Sequence, residues 1–455
     1  MKDLPAWQEN ALWTEYASLR GRRRTDVVIV GGGFTGLTLA ADLAAHGVKT
    51  IVLEAKQLLH GASMACMGIV TAQVQGCYET IAGYAGDDAA RSYARWMQRC
   101  VREVGNTCRR RNYQCGLAAT EVCLHERSRR EAERWRGALA LEERLQLPFV
   151  PMEDAGGCPV PVLSSIALPG QWMLSPLAYG QELARDAARH GAGIYEHSPV
   201  TAIDNRSVYT PEGSVQAEAV VLATGIPAGL KATVTLARME QRMGVMYTLH
   251  GGAPAYGTHV MLSGVSYRAI PGGELARCDA GHVGSRRQET ACRQAEGRIR
   301  RVMGDWQIEN ALMRQEVWSR DGLPLIGRVD PSNDWLLMAT GYNGWGVAGA
   351  KLAADLLCAQ LLDYPERDAA WFSPARKAQK AVAKGMAAQG AAYLAGAFHP
   401  GTPKCPHMGC RMRYDEMQRQ WCCPCHGSSF TVLGECVTAP AMEHARISRR
   451  QRTDR

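Results

Sequence analysis

The sequence predicts an α/β protein in three parts: a nucleotide-binding domain assembled from discontinuous segments, a mixed-sheet α+β domain, and a small all-β domain at the C-terminus. Three observations support this. A buried strand at 26–30 runs through a glycine-rich turn into an apolar-periodic helix. Buried strands followed by glycine recur near 219–225 and 336–341. Six of the 16 cysteines crowd into 405–436, which points to a metal site.

Composition places the chain among folded enzymes. Its 455 residues suit two or three domains. The formal net charge of +8 comes from scattered basic residues, and the densest runs lie at 22–24, 109–111 and 446–455. No aromatic residues interleave with these runs, so we expect no nucleic-acid partner.

No stretch is long and apolar enough to span a bilayer, so we also expect no integral membrane segment. The arginines at 22–24 precede an apolar stretch, as in a twin-arginine export signal. However, these apolar residues fit a strand and a helix that the mature protein needs. We therefore expect a cytoplasmic protein.

Local patterns predict the remaining elements. The stretch 87–147, rich in Arg, Glu and Ala, predicts helices, and β-like patterns at 160–168 and 234–270 predict a separate sheet. Further elements of the nucleotide-binding domain are expected as helices at 37–45, 176–188 and 347–361, and as strands at 50–53, 191–196, 200–204, 219–225 and 336–339.

The turn after the first strand reads Gly31-Gly32-Gly33-Phe34-Thr35-Gly36, which fits GxGxxG in a strand–turn–helix context. Gly31 permits the tight turn, Gly33 lets the backbone approach a pyrophosphate, and Gly36 allows close helix–strand packing. The helix N-terminus supplies a positive pole for the phosphates. Glu54, which ends the second strand, is placed to accept hydrogen bonds from the adenosine ribose. FAD and NAD both use this fingerprint.

Longer motifs resemble the D-amino-acid oxidase and glycine oxidase family of flavoproteins. They are Gly61-Ala-Ser63, Ala223-Thr-Gly225, the segment Asp321-Gly-Leu-Pro-Leu-Ile-Gly327, and Ala339-Thr-Gly-Tyr-Asn-Gly-Trp-Gly346. The resemblance implies a Rossmann-like FAD-binding domain. In that family the last motif brings a helix N-terminus to the pyrimidine side of the flavin, where it stabilises the charge that reduction adds. The FAD contacts that it implies, beyond the glycine turn and Glu54, are Phe34, Thr35, Ala62, Ser63, Val200, Thr224, Gly225, Gly327, Gly341, Asn343, Gly344, Trp345 and Gly346.

Two boxes near the C-terminus, Cys405-Pro-His407 and Cys423-Pro-Cys-His426, resemble those of Rieske proteins. The resemblance implies a [2Fe–2S] cluster with Cys405 and Cys423 on one iron and His407 and His426 on the other. It also implies a disulfide between the leftover pair, which is Cys410 and Cys425. A Cys2His2 zinc site is the competing interpretation, although zinc modules more often show CxxC with a longer gap. Beyond Gly434 only a short, Arg-rich tail follows, so we expect a shortened domain.

These motifs divide the chain. We expect an N-terminal extension at 1–25; an oxidoreductase at 26–376, with FAD-binding segments at about 26–85, 170–228 and 318–365 and a substrate domain between them; an alanine-rich linker at 377–400; a Rieske domain at 401–445; and a basic tail at 446–455.

A flavin accepts a hydride at N5 and a [2Fe–2S] centre accepts one electron at a time, so the fusion predicts oxidation of a substrate at the flavin and onward transfer of single electrons. The family usually oxidises amines or amino acids. In its oxidases a lysine near the flavin often assists O2, but this chain has only Lys231 between Lys56 and Lys351. Related Rieske fusions often carry a lysine where this chain has Ile69. We therefore favour a dehydrogenase over an oxidase.

The family grips a substrate carboxylate with arginine, because guanidinium and carboxylate pair in a bidentate way. Arg268 is our first candidate for this anchor, with Tyr247 and His282 as neighbours. The expected partners are a small amine or amino acid and a downstream one-electron acceptor. Two other hypotheses stay open. The first is an electron-transfer protein, which would need a second, nicotinamide-binding fingerprint that the sequence does not show. The second is a redox sensor without a substrate.

Overall fold

The computed structural model describes residues 14–73, 76–153, 158, 160–251, 258–261, 264–284, 288–364, 366–399, 401–448 and 451. The helices are α1 (Phe34–Ala45), α2 (Cys77–Ala85), α3 (Asp87–Arg110), α4 (Arg129–Arg144), α5 (Pro176–Arg189), α6 (Thr233–Ala237), α7 (Gln288–Met303), α8 (Gly346–Leu361) and α9 (Gln379–Ala397), with a 3₁₀ helix at Ala369–Phe372.

The strands are β1 (Gly21–Val30), β2 (Thr50–Leu53), β3 (Ile69–Val70), β4 (Ala118–Glu126), β5 (Val150–Pro151), β6 (Ser164–Met173), β7 (Gly193–Tyr195), β8 (Ala202–Asp204), β9 (Ser207–Tyr209), β10 (Gly213–Leu222), β11 (Met239–His250), β12 (Thr258–Met261), β13 (Val265–Ile270), β14 (Gly273–His282), β15 (Gln307–Ser319), β16 (Leu325–Arg328), β17 (Leu336–Thr340), β18 (Arg413–Asp415), β19 (Gln420–Cys422), β20 (Ser429–Phe430) and β21 (Cys436–Thr438).

The nucleotide domain is built on a sheet with strand order β16–β17–β10–β1–β2–β7. The pairs among β17, β10, β1, β2 and β7 are parallel, and β16 joins antiparallel at the edge. Helix α1 packs between α5 and α8. Its apolar residues Leu37, Leu39 and Leu43 are fully buried, so the periodicity in the sequence is that of a helix covered by sheet and neighbouring helices.

The mixed-sheet domain has strand order β15–β11–β14–β13–β12–β4–β6–β3, with β5 paired to β6. Its pairs are antiparallel except for the parallel pair β12–β4. Strand β4 lies inside the stretch 87–147, which the sequence predicted as helical. Its residues Val122, Cys123 and Leu124 are buried between β12 and β6, so tertiary pairing overrides the helical character of the flanking residues.

Strand β1 begins at Gly21, five residues before the predicted start of the nucleotide domain. Residues 22–24 are exposed arginines that pair in parallel with residues 214–216 of β10. This extension carries no apolar pattern, so its strand structure comes from the ladder of backbone hydrogen bonds.

The C-terminal domain is a small antiparallel sheet in the order β18–β19–β20–β21. Its core includes Ala441, Ala445 and Ile447, and the Ala445 N–H donates to the Gly434 carbonyl oxygen at 2.8 Å. The chain after Gly434 therefore folds back onto the domain. Packing continues to Ile447, into the segment that the sequence assigned to a tail.

The predicted linker at 377–400 is largely the helix α9. It packs on α6 of the nucleotide domain through Gly385, and its residue Ala392 contacts the core of the C-terminal domain. The helix thus contacts both domains. Within the described residues, no helix is both long and apolar enough to cross a membrane.

Two glycines of α9 provide a matched test of this packing. A Cβ at Gly385 would lie 1.7 Å from the Ala237 carbonyl oxygen, whereas a Cβ at Gly390 meets nothing within 4 Å. We expect Gly385→Ala to lower the free energy of unfolding by about 1–3 kcal/mol through overpacking. Gly390→Ala should raise it by roughly 0.5–1 kcal/mol, because alanine favours the helix. Denaturant unfolding measures both, and equal effects would contradict close packing at Gly385.

Candidate functional site

The glycine turn leads from β1 into α1 at very close range. Gly31 has φ +113°, a region that favours glycine, and a Cβ there would lie 2.6 Å from the Ala223 carbonyl oxygen. A Cβ at Gly36 would lie 2.0 Å from the Gly31 carbonyl oxygen. Helix α1 begins at Phe34, directly after the turn. The backbone is therefore free of side chains where a pyrophosphate would approach the helix N-terminus.

Glu54 lies beside this turn. Its carboxylate accepts hydrogen bonds from the backbone N–H groups of Gly32, at 2.8 Å, and Lys56, at 2.9 Å. Burial raises the pKa of the Glu54 carboxyl, and these hydrogen bonds oppose the rise. A carboxylate has about four acceptor positions, so Glu54 retains capacity for ribose hydroxyls.

A cavity of about 710 Å³ begins at this turn and continues to the mixed-sheet domain. The predicted FAD contacts that line it are Gly31, Gly33, Phe34, Thr35, Glu54, Ala62, Ser63, Val200, Thr224, Gly225, Gly341, Gly344, Trp345 and Gly346. Gly36 lies behind the turn and acts through packing. The cavity size is within the range of cofactor sites.

Two side chains connect the walls around the glycine turn. The Ser63 hydroxyl accepts a hydrogen bond from the Phe34 N–H at 3.1 Å. The Thr35 hydroxyl donates to the Tyr342 hydroxyl at 3.0 Å, and Tyr342 lines the cavity although the sequence did not single it out. Helix α8 begins at Gly346, so its N-terminus lies at the cavity wall.

Gly327 and Asn343 are not among the described residues that line the cavity. Gly327 lies in β16, where a Cβ would face Gln360 and Pro374. The buried Asn343 side chain accepts from the Ser319 N–H at 2.7 Å and donates to the Gly322 carbonyl oxygen at 2.7 Å. The contacts of these two residues are with neighbouring protein groups, which they pack against or hold in a turn.

The three predicted catalytic residues do not meet, and none of them lines the described cavity. Arg268 is buried two residues along β13 from the cavity residue Ser266, and it donates to the Leu174 carbonyl oxygen at 3.3 Å. Burial lowers the pKa of Arg268 to about 10. Tyr247 is buried in an apolar cluster of the mixed-sheet domain, and His282 is exposed at the end of β14.

An ion pair that the sequence analysis missed lies at the cavity instead. Arg277 of β14 donates to both carboxylate oxygens of Glu316 of β15, and both side chains line the cavity. The pair spans β11 at Gly244, where a Cβ would lie 2.7 Å from Glu316 Oε1. A Cβ at Gly344 would lie 3.5 Å from the Arg277 guanidinium, which places the pair beside the α8 turn. Sequence spacing could not reveal this, because the partners are joined only through sheet register.

The two metal-ligand boxes of the C-terminal domain have the same backbone geometry. The Gly409 N–H donates to the Cys405 carbonyl oxygen, and the Gly427 N–H donates to that of Cys423, each at 2.9 Å. Both glycines have positive φ, +76° and +81°, so each closes a tight turn that favours glycine. Cys405, His407, Cys423 and His426 are all buried.

The imidazoles present atoms suited to a metal. Nδ1 of His407 and Nδ1 of His426 are buried without a hydrogen-bond partner, and the ring centroids are 5.1 Å apart. Burial lowers the pKa of both, to about 4 for His426, so both rings are neutral as iron ligands must be. Buried polar atoms rarely lack a partner, and two such nitrogens on neighbouring imidazoles fit the predicted cluster.

On the sulfur side of the site, the hydrogen bond between the two ligand thiols raises the pKa of Cys423 and lowers that of Cys405. A hydrogen bond from the Cys423 thiol lowers the pKa of the Cys405 thiol to about 7, and a hydrogen bond from Ser428 acts in the same direction. A low pKa favours the thiolate that binds iron. Cys410 and Cys425 form a disulfide across the two boxes, as the resemblance implied.

The ligand boxes contact the rest of the protein directly. His407 Nε2 donates to the Leu230 carbonyl oxygen at 2.7 Å, which leaves Nδ1 as the ligand atom. The Gln315 side chain donates to the Gly427 carbonyl oxygen at 3.0 Å. A Cβ at Gly427 would lie 2.2 Å from that Gln315 amide nitrogen, so this docking also requires glycine.

The glycine turn, the lined cavity and the paired cysteine–histidine boxes define a flavoprotein with its own iron–sulfur domain. Residues 26–360 match the DAO family, FAD dependent oxidoreductase, and residues 387–449 match the Rieske [2Fe-2S] domain. The chain belongs to the DAO family of FAD dependent oxidoreductases. Its DAO domain binds FAD and its Rieske domain binds a [2Fe–2S] cluster. The predicted family and fold class are confirmed.

Similar proteins agree with this assignment. The putative Rieske 2Fe-2S iron-sulfur protein YhfW of Bacillus subtilis (strain 168) is 23% identical over 96% of this chain and 96% of its own length. Glycine oxidase of Bacillus licheniformis is 24% identical over 76% of this chain and 95% of its own length.

Solved structures share the fold of the larger part of the chain. Glycine oxidase from Geobacillus kaustophilus has a TM-score of 0.64 at 22% identity, covering 78% of this chain and 99% of its own. L-proline dehydrogenase from P. horikoshii also has a TM-score of 0.64, at 17% identity, covering 78% of this chain and 97% of its own.

The raised pKa of Glu54 leads to a pH prediction. Because this carboxyl takes up a proton at milder acidity than an ordinary glutamate, its capacity to accept from ribose hydroxyls should fall early as the pH is lowered. We expect FAD affinity to weaken through this acidic range. Glu54→Gln should bind FAD about tenfold more weakly at neutral pH, as for the loss of a charged hydrogen bond, and lack this pH dependence. FAD fluorescence titration measures both; an identical pH profile in the variant would contradict the role of Glu54.

Gly244 offers a way to disturb the Arg277–Glu316 pair without removing either charge. A Cβ at this position would meet the ends of both side chains, at 2.7 Å and 3.1 Å. We expect Gly244→Ala to separate the pair and lower the free energy of unfolding by about 1–3 kcal/mol. Gly297→Ala, in α7 with nothing within 4 Å, is the control and should not lower it. Denaturant unfolding with a crystal structure of the variant checks both effects.

Proposed function

We propose that this protein is a dehydrogenase that oxidises a small amine or amino acid by hydride transfer to flavin N5, and that the electrons leave singly through the Rieske cluster to a downstream acceptor. The bound flavin supplies two-electron chemistry and the cluster supplies one-electron chemistry. The protein's own residues place the two sites side by side.

The observation that carries the proposal is the contact between His407 and Leu230. Leu230 lies two residues beyond Ala228, which lines the FAD cavity, and its carbonyl oxygen accepts the hydrogen bond from the cluster ligand His407. A cluster ligand is thus joined to the cavity wall by one hydrogen bond and a few covalent bonds. The C-terminal strands also contribute Thr438 and Ser429 to the cavity lining. This proximity supports electron transfer between the two sites.

The residues that the mixed sheet contributes to the cavity wall favour an amine or amino acid as the substrate. The sheet contributes the apolar residues Val122 and Val260 to the cavity lining, and the Arg277–Glu316 pair also lines the cavity. Such a pair presents a cation and an anion side by side, which suits a substrate with ammonium and carboxylate groups. In this proposal the pair takes the recognition role that the sequence assigned to Arg268.

The choice of dehydrogenase rests on the lysines. Among the described residues that line the cavity, the one lysine is Lys56, which lies by Glu54 at the ribose end. Ile69 lines the cavity where a lysine occurs in related fusions. No described lysine is therefore placed on the wall of the mixed sheet to assist O2, which favours electron exit through the cluster.

Anaerobic mixing of the holoprotein with a panel of amines and amino acids tests the proposal. We expect a substrate to bleach the flavin absorbance and then to produce the paramagnetic signal of a reduced Rieske cluster. In air, H2O2 should form far more slowly than the substrate is consumed with an artificial one-electron acceptor. Rapid H2O2 formation that matches turnover would overturn the dehydrogenase assignment.

His426→Cys separates the two redox steps. The extra thiolate makes the cluster more negative and lowers its potential, while the His407–Leu230 contact is kept. We expect the flavin of this variant to be reduced by substrate while the cluster stays oxidised, with iron content showing that the cluster is present. Equal cluster reduction in the variant and the native protein would argue against transfer from flavin to cluster.

A further inference from the structure

The C-terminal domain is more than a neighbour of the FAD cavity, since residues 436–444 form one of its walls. This segment contains β21 and the turn after it, and its residues Thr438, Met442 and His444 line the cavity. Two contacts and one electrostatic interaction connect it to the rest of the protein. These interactions hold residues 436–444 in place as a wall of the FAD cavity.

The first contact is at Gly229, just beyond the cavity residue Ala228. The Gly229 N–H donates to the Pro440 carbonyl oxygen at 2.8 Å, and a Cβ at Gly229 would lie 2.5 Å from Met442 Cε. The Met442 side chain therefore lies directly on the loop that follows the β10 strand end. The space beside Gly229 is filled by the Met442 side chain.

The other two interactions involve Gln315 and Lys56. Gln315 lines the cavity from the mixed sheet, donates to Gly427, and lies 3.5 Å from the Thr438 hydroxyl. On the remaining side, burial raises the pKa of the Cys436 thiol and the positive charge of Lys56 opposes this rise, while the Lys56 backbone N–H donates to the Glu54 carboxylate at 2.9 Å. The segment thus spans from the mixed sheet to the ribose end of the cavity.

The orientation of His444 adds a polar group to this wall. Its Nδ1 accepts a hydrogen bond from the Cys436 N–H at 3.1 Å, so in the neutral ring the proton resides on Nε2. The ring lines the cavity, and its remaining donor is available to an oxygen of a bound nucleotide.

We propose that residues 436–444 of the C-terminal domain are part of the FAD-binding site, with Met442 and His444 contacting the bound cofactor. The cofactor is then enclosed between two domains. The cluster is consequently held at a fixed position beside the cavity during turnover.

Two substitutions test the contacts. Met442→Ala removes side-chain packing, and His444→Asn removes the ring but retains an acceptor for the Cys436 N–H. We expect each to raise the dissociation constant of FAD about tenfold, equivalent to about 1.4 kcal/mol. Glu443→Ala is the matched control, because Glu443 is exposed between them and does not line the cavity. FAD fluorescence titration gives the affinities, with iron content and the cluster signal showing that the Rieske fold is intact.

Hydrogen–deuterium exchange gives a second measurement that does not depend on any variant. Native protein stripped of FAD and the same protein reloaded with FAD are compared, both with the cluster in place. We expect FAD to slow exchange in 436–444, whereas exchange in the exposed face of α9 stays the same. Unchanged exchange in 436–444, or affinities equal to the control in both variants, would overturn the proposal. Neither readout requires substrate turnover, so the result is independent of the proposed dehydrogenase activity.

Discussion

The hydrogen bond from His407 Nε2 to the Leu230 carbonyl oxygen connects the iron–sulfur site to the wall of the FAD cavity. It uses the nitrogen that does not face the cluster position, so it orients the imidazole and fixes Nδ1 as the ligand atom. A partner of this kind on the second ring nitrogen is a common way for proteins to orient a metal-binding histidine. Because the partner is a backbone carbonyl of the nucleotide domain, ligand geometry depends on domain docking.

Burial also affects the ionisable groups at the two sites. Both cluster histidines are buried, and burial lowers the pKa of each so that they stay neutral. In the FAD cavity, burial raises the pKa of Glu54 while two backbone N–H groups partly offset that cost. The Arg277–Glu316 pair shows a third solution, in which two buried charges compensate one another. At each site the free-energy cost of burying an ionisable group is therefore reduced, either by the neutral form of the group or by a specific contact.

Glycine permits the close approaches on which this architecture relies. Gly31 and Gly36 bring the nucleotide turn against its neighbouring strand and helix, Gly244 makes room for an ion pair across β11, and Gly427 brings a cluster box onto Gln315. A Cβ at each of these positions would fall under 3 Å from a neighbouring atom. The first two are visible as a sequence motif. The third has no local signal, because its reason is the register of three strands.

The sequence by itself determined the two cofactor sites and the fold class. The glycine turn, the end of β2 at Glu54, and the two cysteine–histidine boxes are local motifs whose chemistry lies within a few residues. The periodicity of apolar residues is also a local pattern, and it predicted the parallel core of the nucleotide domain. Strand β2 was predicted with its observed bounds, and helix α8 was predicted within one residue.

Only the tertiary structure decided which arginine faces the cavity, that α9 joins two domains, and that 436–444 closes the cavity wall. Each of these depends on pairing between distant strands or domains. Arg268 and Arg277 are equally plausible in sequence. Their surroundings differ because Arg268 donates to the Leu174 carbonyl oxygen, whereas Arg277 meets Glu316 across Gly244. Contacts at long sequence separation carry no local pattern, and here they select the residues that surround the chemistry.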